Sequence, residues 1–239
     1  MRRILKILLI IILVLLAAIA AFVIYQYEQP ASSNVMKGQH NILLLTADPS
    51  EQRPGVGGVD MAFAIHVNDG NITNITPIYP GGMQHPTAME PAAANAGSGH
   101  LMFHDVLWDA NITQDTVLAQ EIVKYNTNIT TDAVVIVTPN AVDAILNSIG
   151  PINIPGYNGN GTNAAISYIR NETEQANSTM SRGNATQTLM KPVMAAAKDP
   201  SKAPALFSTI LSQYTQGNII VVPSSLMTQF AISKGLKLL

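Results

Sequence analysis

Three arginines and two aspartates are the residues of this chain whose types and positions suit phosphate chemistry. Beyond an apolar N-terminal stretch the sequence has seven lysines but only three arginines, Arg53, Arg170 and Arg182. Arginine presents a planar, bidentate fork that matches a phosphate or a carboxylate, which lysine cannot do. Asp48 follows a predicted strand and Asp60 precedes another, and strand ends commonly carry metal or phosphate chemistry. The pattern indicates a site for an anion, assisted by a metal.

Each of these residues also has a purely structural interpretation. Either aspartate could cap a strand end or a turn through its side chain. The arginines could instead form salt bridges with the scarce acids, such as Glu51 or Glu172. The sequence leaves both interpretations open.

The elements that must position these side chains alternate between strand and helix patterns. Strands are predicted at 40–46, 61–67, 72–78, 133–137 and 218–222, with a hairpin turn at 68–70. Helices are predicted at 114–125, 139–149, 162–170, 186–198, 204–216 and 224–234. Thr138 is the expected cap of the second helix, and Pro192 should kink or split the fourth. We expect an α/β or α+β single domain with a central mixed sheet flanked by helices, and a long surface loop at 80–99.

Composition excludes several classes of function. The chain has no cysteine, so disulfides, thiolate metal sites and a cysteine nucleophile are absent. Of thirteen Lys and Arg, three lie in the first six residues, which leaves ten against fifteen Asp and Glu, so no basic face for nucleic acid is predicted. The glycine-rich segment 55–60 lacks the spacing of a P-loop or a dinucleotide fingerprint. It is interpreted as a flexible turn, with an anion-binding nest as the alternative. No nucleophile elbow around a serine occurs.

The histidines form a weaker candidate for a metal site. His100 and His104 would lie on one helix face if 99–108 were helical, with His85 and Asp105 nearby. The glutamate of a zinc-protease motif is missing, because Leu101 follows His100.

An uninterrupted apolar segment at 7–25 predicts a membrane anchor. Its nineteen residues can cross a hydrocarbon core of about 30 Å as a helix. Arg2, Arg3 and Lys6 precede it, which places the N-terminus in the cytoplasm and the rest of the chain outside the cell. A cleaved signal peptide is the alternative and gives the same exported domain. We expect a cytoplasmic tip and transmembrane helix at 1–27, a tether at 28–39 and an extracellular domain at 40–239.

Sequons for N-glycosylation support export independently. Nineteen Asn and 32 Ser or Thr in 239 residues would give about two or three Asn-x-Ser/Thr sites by chance, whereas eight occur. Asn74 is expected to be poorly accessible in a strand. The predicted glycan sites are Asn71, Asn111, Asn128, Asn160, Asn171, Asn177 and Asn184.

The order of several segments resembles the LytR-CpsA-Psr family. The opening run 41–48 ends in Asp48, and the run 60–65 begins with Asp60. The run 141–155 is similar to that family's Val-Asp and Leu-Gly-Gly region, and 165–170 with Arg182 resembles its Tyr-x-Arg segment and downstream arginine. The whole chain also looks like a membrane-anchored family of methane-producing archaea.

The resemblance implies a function at the cell envelope. Proteins of that family bind a polyprenyl-pyrophosphate glycan and transfer it to the wall. It implies phosphate contacts from Arg170 and Arg182, a weaker one from Arg53, and Mg²⁺ held by Asp48 and Asp60. The expected partners are the membrane and a lipid-linked or wall polymer.

The sequence departs from that family at Gly81 and Gly82. The family has an arginine and an aspartate there. We therefore expect binding of an anionic glycan without efficient catalysis, the alternative being a Mg²⁺-dependent glycopolymer transferase. No catalytic residue is assigned.

Overall fold

The computed structural model describes residues 37–51, 53–94, 97, 99–159, 163–175 and 178–233. Its strands are β1 (Gln39–Asp48), β2 (Gly58–Asn68), β3 (Asn71–Ile78), β4 (Gln84–Met89), β5 (His100–Met102), β6 (Ala133–Val137) and β7 (Ile219–Val222). Its helices are α1 (Ile112–Thr127), α2 (Pro139–Ser148), α3 (Ala164–Thr173), α4 (Arg182–Lys198), α5 (Ala203–Thr215) and α6 (Ser225–Ser233).

A five-stranded mixed sheet forms the centre of the domain, in the order β3-β2-β1-β6-β7. Strands β1 and β6 are parallel, whereas the other neighbouring pairs are antiparallel. The predicted α/β single domain with a mixed sheet and flanking helices is confirmed. Among the described residues no helix is long and apolar enough to cross a bilayer, and the anchor predicted at 7–25 lies outside those residues.

The predicted hairpin between β2 and β3 is confirmed. Asp69 and Gly70 form its two-residue turn with φ of 48° and 74°. Left-handed conformations at both positions match the right-handed twist of the flanking strands, and Asp-Gly tolerates them well.

One face of the sheet packs against α1 and a small second sheet made of β4 and β5. Leu43 and Leu45 of β1 are fully buried there with Phe103 and Ile122. The prediction of a long surface loop at 80–99 is therefore wrong in part, because β4 lies within that segment. Pro86 and the weak apolar alternation of this short strand concealed it from sequence patterns.

The other face of the sheet carries the remaining helices. Thr138 occupies the predicted cap position of α2, but its hydroxyl makes no capping hydrogen bond. Helix α4 contains Pro192 without being split, and it begins at Arg182, four residues before the predicted start. Ser181 explains the earlier start, because its hydroxyl oxygen accepts a hydrogen bond from the Asn184 amide at 3.1 Å.

Candidate functional site

A β-bulge presents Asp60 at the end of the sheet where Asp48 also lies. Thr46 pairs with Met61 and Ala47 pairs with Val59, so Asp60 is the extra residue between them. Such bulges change the direction of a side chain next to functional sites. Asp48 ends β1, and its Oδ1 accepts a hydrogen bond from the Ser50 amide at 2.8 Å, so the turn interpretation of this aspartate also holds.

Two residues from other segments join Asp60. One carboxylate oxygen of Glu51, one of Asp60 and a ring nitrogen of His104 lie within 4.8 Å of one another. Burial raises the pKa of Asp60, and the charges of Asp48 and Glu51 raise it further, while Arg182 and His104 oppose them. Crowded carboxylates in a half-buried position fit a divalent cation, because the cation would offset their repulsion. The donor set therefore fits a divalent cation, with two carboxylates and one imidazole nitrogen as its ligands.

Arg53 is engaged in ion pairs, unlike an arginine that is free to bind phosphate. Its side chain is 7% exposed and forms ion pairs with Glu51 at 2.5 Å and Asp105 at 2.7 Å. Its guanidinium also lies over the Trp108 ring, 5.3 Å from the centroid. The salt-bridge interpretation with Glu51 is correct for this arginine. The candidate phosphate site therefore excludes Arg53, because both terminal nitrogens of its guanidinium already pair with Glu51 and Asp105.

The glycine-rich segment after β1 is closely packed. A Cβ on Gly55 would lie 2.2 Å from the Leu107 carbonyl oxygen, and one on Gly57 would lie 2.1 Å from that of Asp48. A Cβ on Gly58 would lie 2.5 Å from the Glu51 carboxylate. These glycines allow the loop to fold back onto the Leu107 segment and leave room for Glu51.

Arg170 is an exposed residue of α3. It lies near the C-terminus of that helix and, within the described part of the chain, forms no ion pair. Buried Asp143 of α2 positions this helix, because its carboxylate accepts hydrogen bonds from the Ala164 and Ala165 amides at 3.1 and 3.0 Å. Arg170 borders a cleft of about 360 Å³ that Asp48 and the first residues of α2 also line.

Arg182 lies at the start of α4 and is partly engaged. Its guanidinium donates to Glu174 at 2.7 Å, and both side chains are about half exposed. Its charge nevertheless lowers the pKa of Asp60, and both residues line the same cavity. The structure thus brings Asp48, Asp60, Arg170 and Arg182 to one end of the sheet, whereas Arg53 is directed into its own ion pairs.

A long apolar channel leads away from this end. It has a volume of about 620 Å³ and runs between the sheet and the helices α2 to α6. Asp60, at the start of β2, and Val67, near its end, both line the channel, so it extends along most of that strand. Arg170, Arg182, Ile72 and Lys198 also line it. Its sheet wall includes Ile42, Leu44, Phe63, Ile65, Val135 and Val137, and its helical wall includes Val142, Ile145, Ile169, Leu189, Val193 and Ile210.

Gly81 and Gly82 form an exposed turn. The Met83 amide donates to the Pro80 carbonyl oxygen at 3.2 Å, and Gly82 has a φ of 79°, which explains the glycine at that turn position. A Cβ at either glycine would meet nothing within 4 Å. The absent arginine and aspartate are therefore not replaced by another side chain at this turn.

The histidine set suggested by the sequence does not form. His85 accepts hydrogen bonds from the Thr87 and Ala88 amides and lies 2.8 Å from Glu121, so it is a structural residue. That site required 99–108 to be helical, but the segment contains β5 followed by a short 3-10 turn at Phe103–Asp105. His104 belongs to the Asp60 cluster instead, and sequence reasoning missed this, because no spacing pattern links His104 to Glu51.

The predicted glycan sites that the structure describes are all accessible. Asn71, Asn111, Asn128, Asn171 and Asn184 are exposed. Asn74 lies in β3 as expected but is exposed as well, so its predicted poor accessibility is wrong. Asn160 and Asn177 lie outside the described residues.

Solved structures share this fold at low sequence identity. The protein gbs0355 from Streptococcus agalactiae has a TM-score of 0.56 at 17% identity, with 81% of this chain and 71% of that chain covered. The transcriptional regulator EF0465 from Enterococcus faecalis has a TM-score of 0.51 at 10% identity, with 79% of this chain and 68% of that chain covered. TagV from Bacillus subtilis has a TM-score of 0.50 at 12% identity, with 84% of this chain and 81% of that chain covered.

The comparisons identify the family of the chain and confirm the fold that its sequence resembles. TagV is a LytR-CpsA-Psr protein, so the predicted likeness to that family is confirmed at the level of the fold. No curated protein matches the sequence. A family match covers residues 37–193, well over half of the 239 residues. The chain therefore belongs to the family described as protein of unknown function (DUF4012).

Proposed function

We propose that the protein is a membrane-anchored cell-envelope protein that binds a lipid-linked or wall-attached anionic glycan without efficient catalysis. The observation that carries the proposal is the apolar channel whose lining includes Arg170 and Arg182. An apolar channel lined in part by cations suits an amphiphile with an anionic head and a hydrocarbon tail. LytR-CpsA-Psr proteins act on wall glycopolymers, which agrees with this chemistry.

The head group would lie between the two arginines and the carboxylates. Arg170 has a guanidinium available for a bidentate phosphate contact. The first turn of α2 borders the same cleft, and its helix dipole adds positive potential there. A cation at Asp48 and Asp60, with Mg²⁺ as the ion implied by the resemblance, would separate the phosphate from the acids.

The tail would run through the channel toward the predicted membrane. Asp60 and Val67 of β2 line the channel near its opposite ends, which would be its near and far mouths, and seven residues of strand correspond to about 23 Å. Gln39 pairs with Asn68, so β1 begins beside the far mouth. Only residues 26–38 separate β1 from the apolar segment 7–25. A lipid could therefore extend from a bilayer through the far mouth to the arginines.

A transferase is the second candidate. It is favoured by the carboxylates around Asp60, which could hold a metal against a pyrophosphate. It is disfavoured by Gly81 and Gly82, which supply neither a cation for developing charge nor a carboxylate. Glycan transfer should consequently be slow or absent.

Binding of simple ligands tests the proposal. We expect a polyprenyl phosphate to bind the purified protein at least tenfold more tightly than either the matching polyprenol or inorganic phosphate, because head and tail occupy different parts of the site. Calorimetry or displacement of a fluorescent lipid gives the affinities. Equal affinity for polyprenol and polyprenyl phosphate would contradict the proposed contacts of Arg170 and Arg182 with the phosphate.

Export of the domain is a separate expectation, based on the basic flank and the apolar segment. Protease added to intact host cells should digest the chain after about residue 28, and native protein should be heavier than its polypeptide because of N-glycans. Western blotting and intact-mass measurement provide the two readouts. A protected domain of unmodified mass would contradict export.

A further inference from the structure

Glu51, Asp60 and His104 converge from three separate segments of the chain. Glu51 comes from the loop after β1, Asp60 from the bulge of β2, and His104 from the turn after β5. Their donor atoms all lie within 4.8 Å of one another. Within the described ranges this is the one group of three or more histidine and acidic side chains with that spacing.

The hydrogen bonding of His104 fixes which ring nitrogen faces the acids. Its Nδ1 lies 3.0 Å from the Val59 carbonyl oxygen, which can only accept, so Nδ1 carries the hydrogen. In the neutral ring the lone pair on Nε2 then points to Glu51, whose Oε2 is 3.2 Å away. A backbone carbonyl that orients the ring through the second nitrogen is the usual arrangement of a metal-binding histidine.

The surrounding residues hold Glu51 in place and leave the cluster negative. Arg53 contacts the Glu51 carboxylate at 2.5 Å, and Gly58 provides space that a Cβ would fill. The nearby arginines are already shared, since Arg53 also pairs with Asp105 and Arg182 pairs with Glu174. Arg53 offsets part of the negative charge of Glu51 and Asp105, and no guanidinium of the described residues forms an ion pair with Asp60.

We propose that Glu51, Asp60 and His104 form a site for a divalent transition metal such as Mn²⁺ or Zn²⁺. One imidazole and two carboxylates suit these ions, whereas Mg²⁺ prefers an all-oxygen set. The ligand set differs from the pair implied by the family resemblance, because Glu51 and His104 take the place given there to Asp48. Three protein ligands leave coordination positions open for a phosphate oxygen or water.

Metal titration of the full-length protein, without any lipid, tests this site. Trp108 is the single tryptophan of the chain and contacts Arg53, which holds Glu51, so it is a built-in reporter. We expect Mn²⁺ to quench its fluorescence at concentrations at least tenfold below those at which Mg²⁺ competes. His104→Gln and Glu51→Gln should each weaken Mn²⁺ binding by tenfold or more, as measured also by the free-ion paramagnetic resonance signal.

The matched control is His85→Gln, which changes a histidine bonded to Glu121 and should leave Mn²⁺ affinity unchanged. Far-ultraviolet circular dichroism of the metal-free variants separates loss of a ligand from loss of the fold, and Co²⁺ absorption reports nitrogen ligation directly. Equal binding of Mn²⁺ by wild type and a folded His104→Gln protein, or Mg²⁺ binding as tight as that of Mn²⁺, would overturn the proposal. Since no lipid is present, failure here is distinguishable from failure of the proposed lipid binding.

Discussion

Replacing both Arg170 and Arg182 by alanine should weaken polyprenyl phosphate binding by roughly fiftyfold or more. Arg170 forms no ion pair with any acid that the structure describes, so losing its charge-assisted contact should cost about 1.5–3 kcal/mol, or roughly tenfold to a hundredfold. Arg182 must first leave Glu174, so its contribution should be smaller, about 1 kcal/mol. Calorimetric titration of the single and double variants measures both contributions.

Two further variants sharpen this expectation. Glu174→Ala should strengthen binding, because it releases Arg182 from its ion pair. Lys124→Ala removes an exposed cation from α1 on the opposite face of the sheet and should have no effect. An equal loss of affinity in Lys124→Ala and Arg170→Ala would indicate attraction by net charge alone and would contradict a defined head-group site.

Replacing Asp115 by asparagine should stabilise the protein at neutral pH. Asp115 of α1 is 2% exposed, and its Oδ2 has no hydrogen-bond partner. Burial, and to a lesser degree the charge of Asp109, raises its pKa to about 7 from 3.8. Ionisation of this carboxyl therefore opposes the folded state.

The sign of the pH dependence follows from the raised pKa. The folded state holds the proton between about pH 4 and 7, so the stabilisation is complete below pH 4 and is lost as the pH rises through 7. The free energy of unfolding of the wild type should fall by on the order of 2–4 kcal/mol across that interval, and Asp115→Asn should abolish most of the fall. Urea denaturation at several pH values measures this.

Asp109→Asn serves as the graded control for Asp115. It removes only the neighbouring charge, so the pH dependence should shrink by a smaller amount. A lower stability of Asp115→Asn than of wild type at pH 8 would show that the ionised carboxylate is favourable where it lies.

The sheet was largely predictable from local patterns. The apolar run of β1 and the Asn-Asp-Gly turn between β2 and β3 each specify one conformation from a few residues. The strands β4 and β5 were not predictable in this way, since they are short and pair only with each other. The early start of α4 depends on the Ser181 cap, which the apolar pattern does not contain.

The sequence identified residues of the candidate site only where their chemical type, their position at a strand end or their rarity distinguished them. Scarce arginines drew attention to Arg170 and Arg182, and strand ends to Asp48 and Asp60. The bulge at Asp60 depends on the register between strands, which no local pattern encodes.

The cluster and the channel depend on packing. Glu51 and His104 meet because Gly55 and Gly57 let their loop fold back onto the Leu107 segment. The channel was not predictable either, because the side chains that line it have the same apolar pattern as a filled core.

The central claim is that an anionic lipid lies with its head at the arginines and its tail between the sheet and the helices. A crystal structure of the protein with a bound polyprenyl phosphate tests it most directly. We predict phosphate oxygens within about 3 Å of the Arg170 guanidinium and hydrocarbon density along Leu44, Phe63 and Ile169 toward Ile72. A phosphate beside Lys198, or a tail lying outside the channel, would contradict the account.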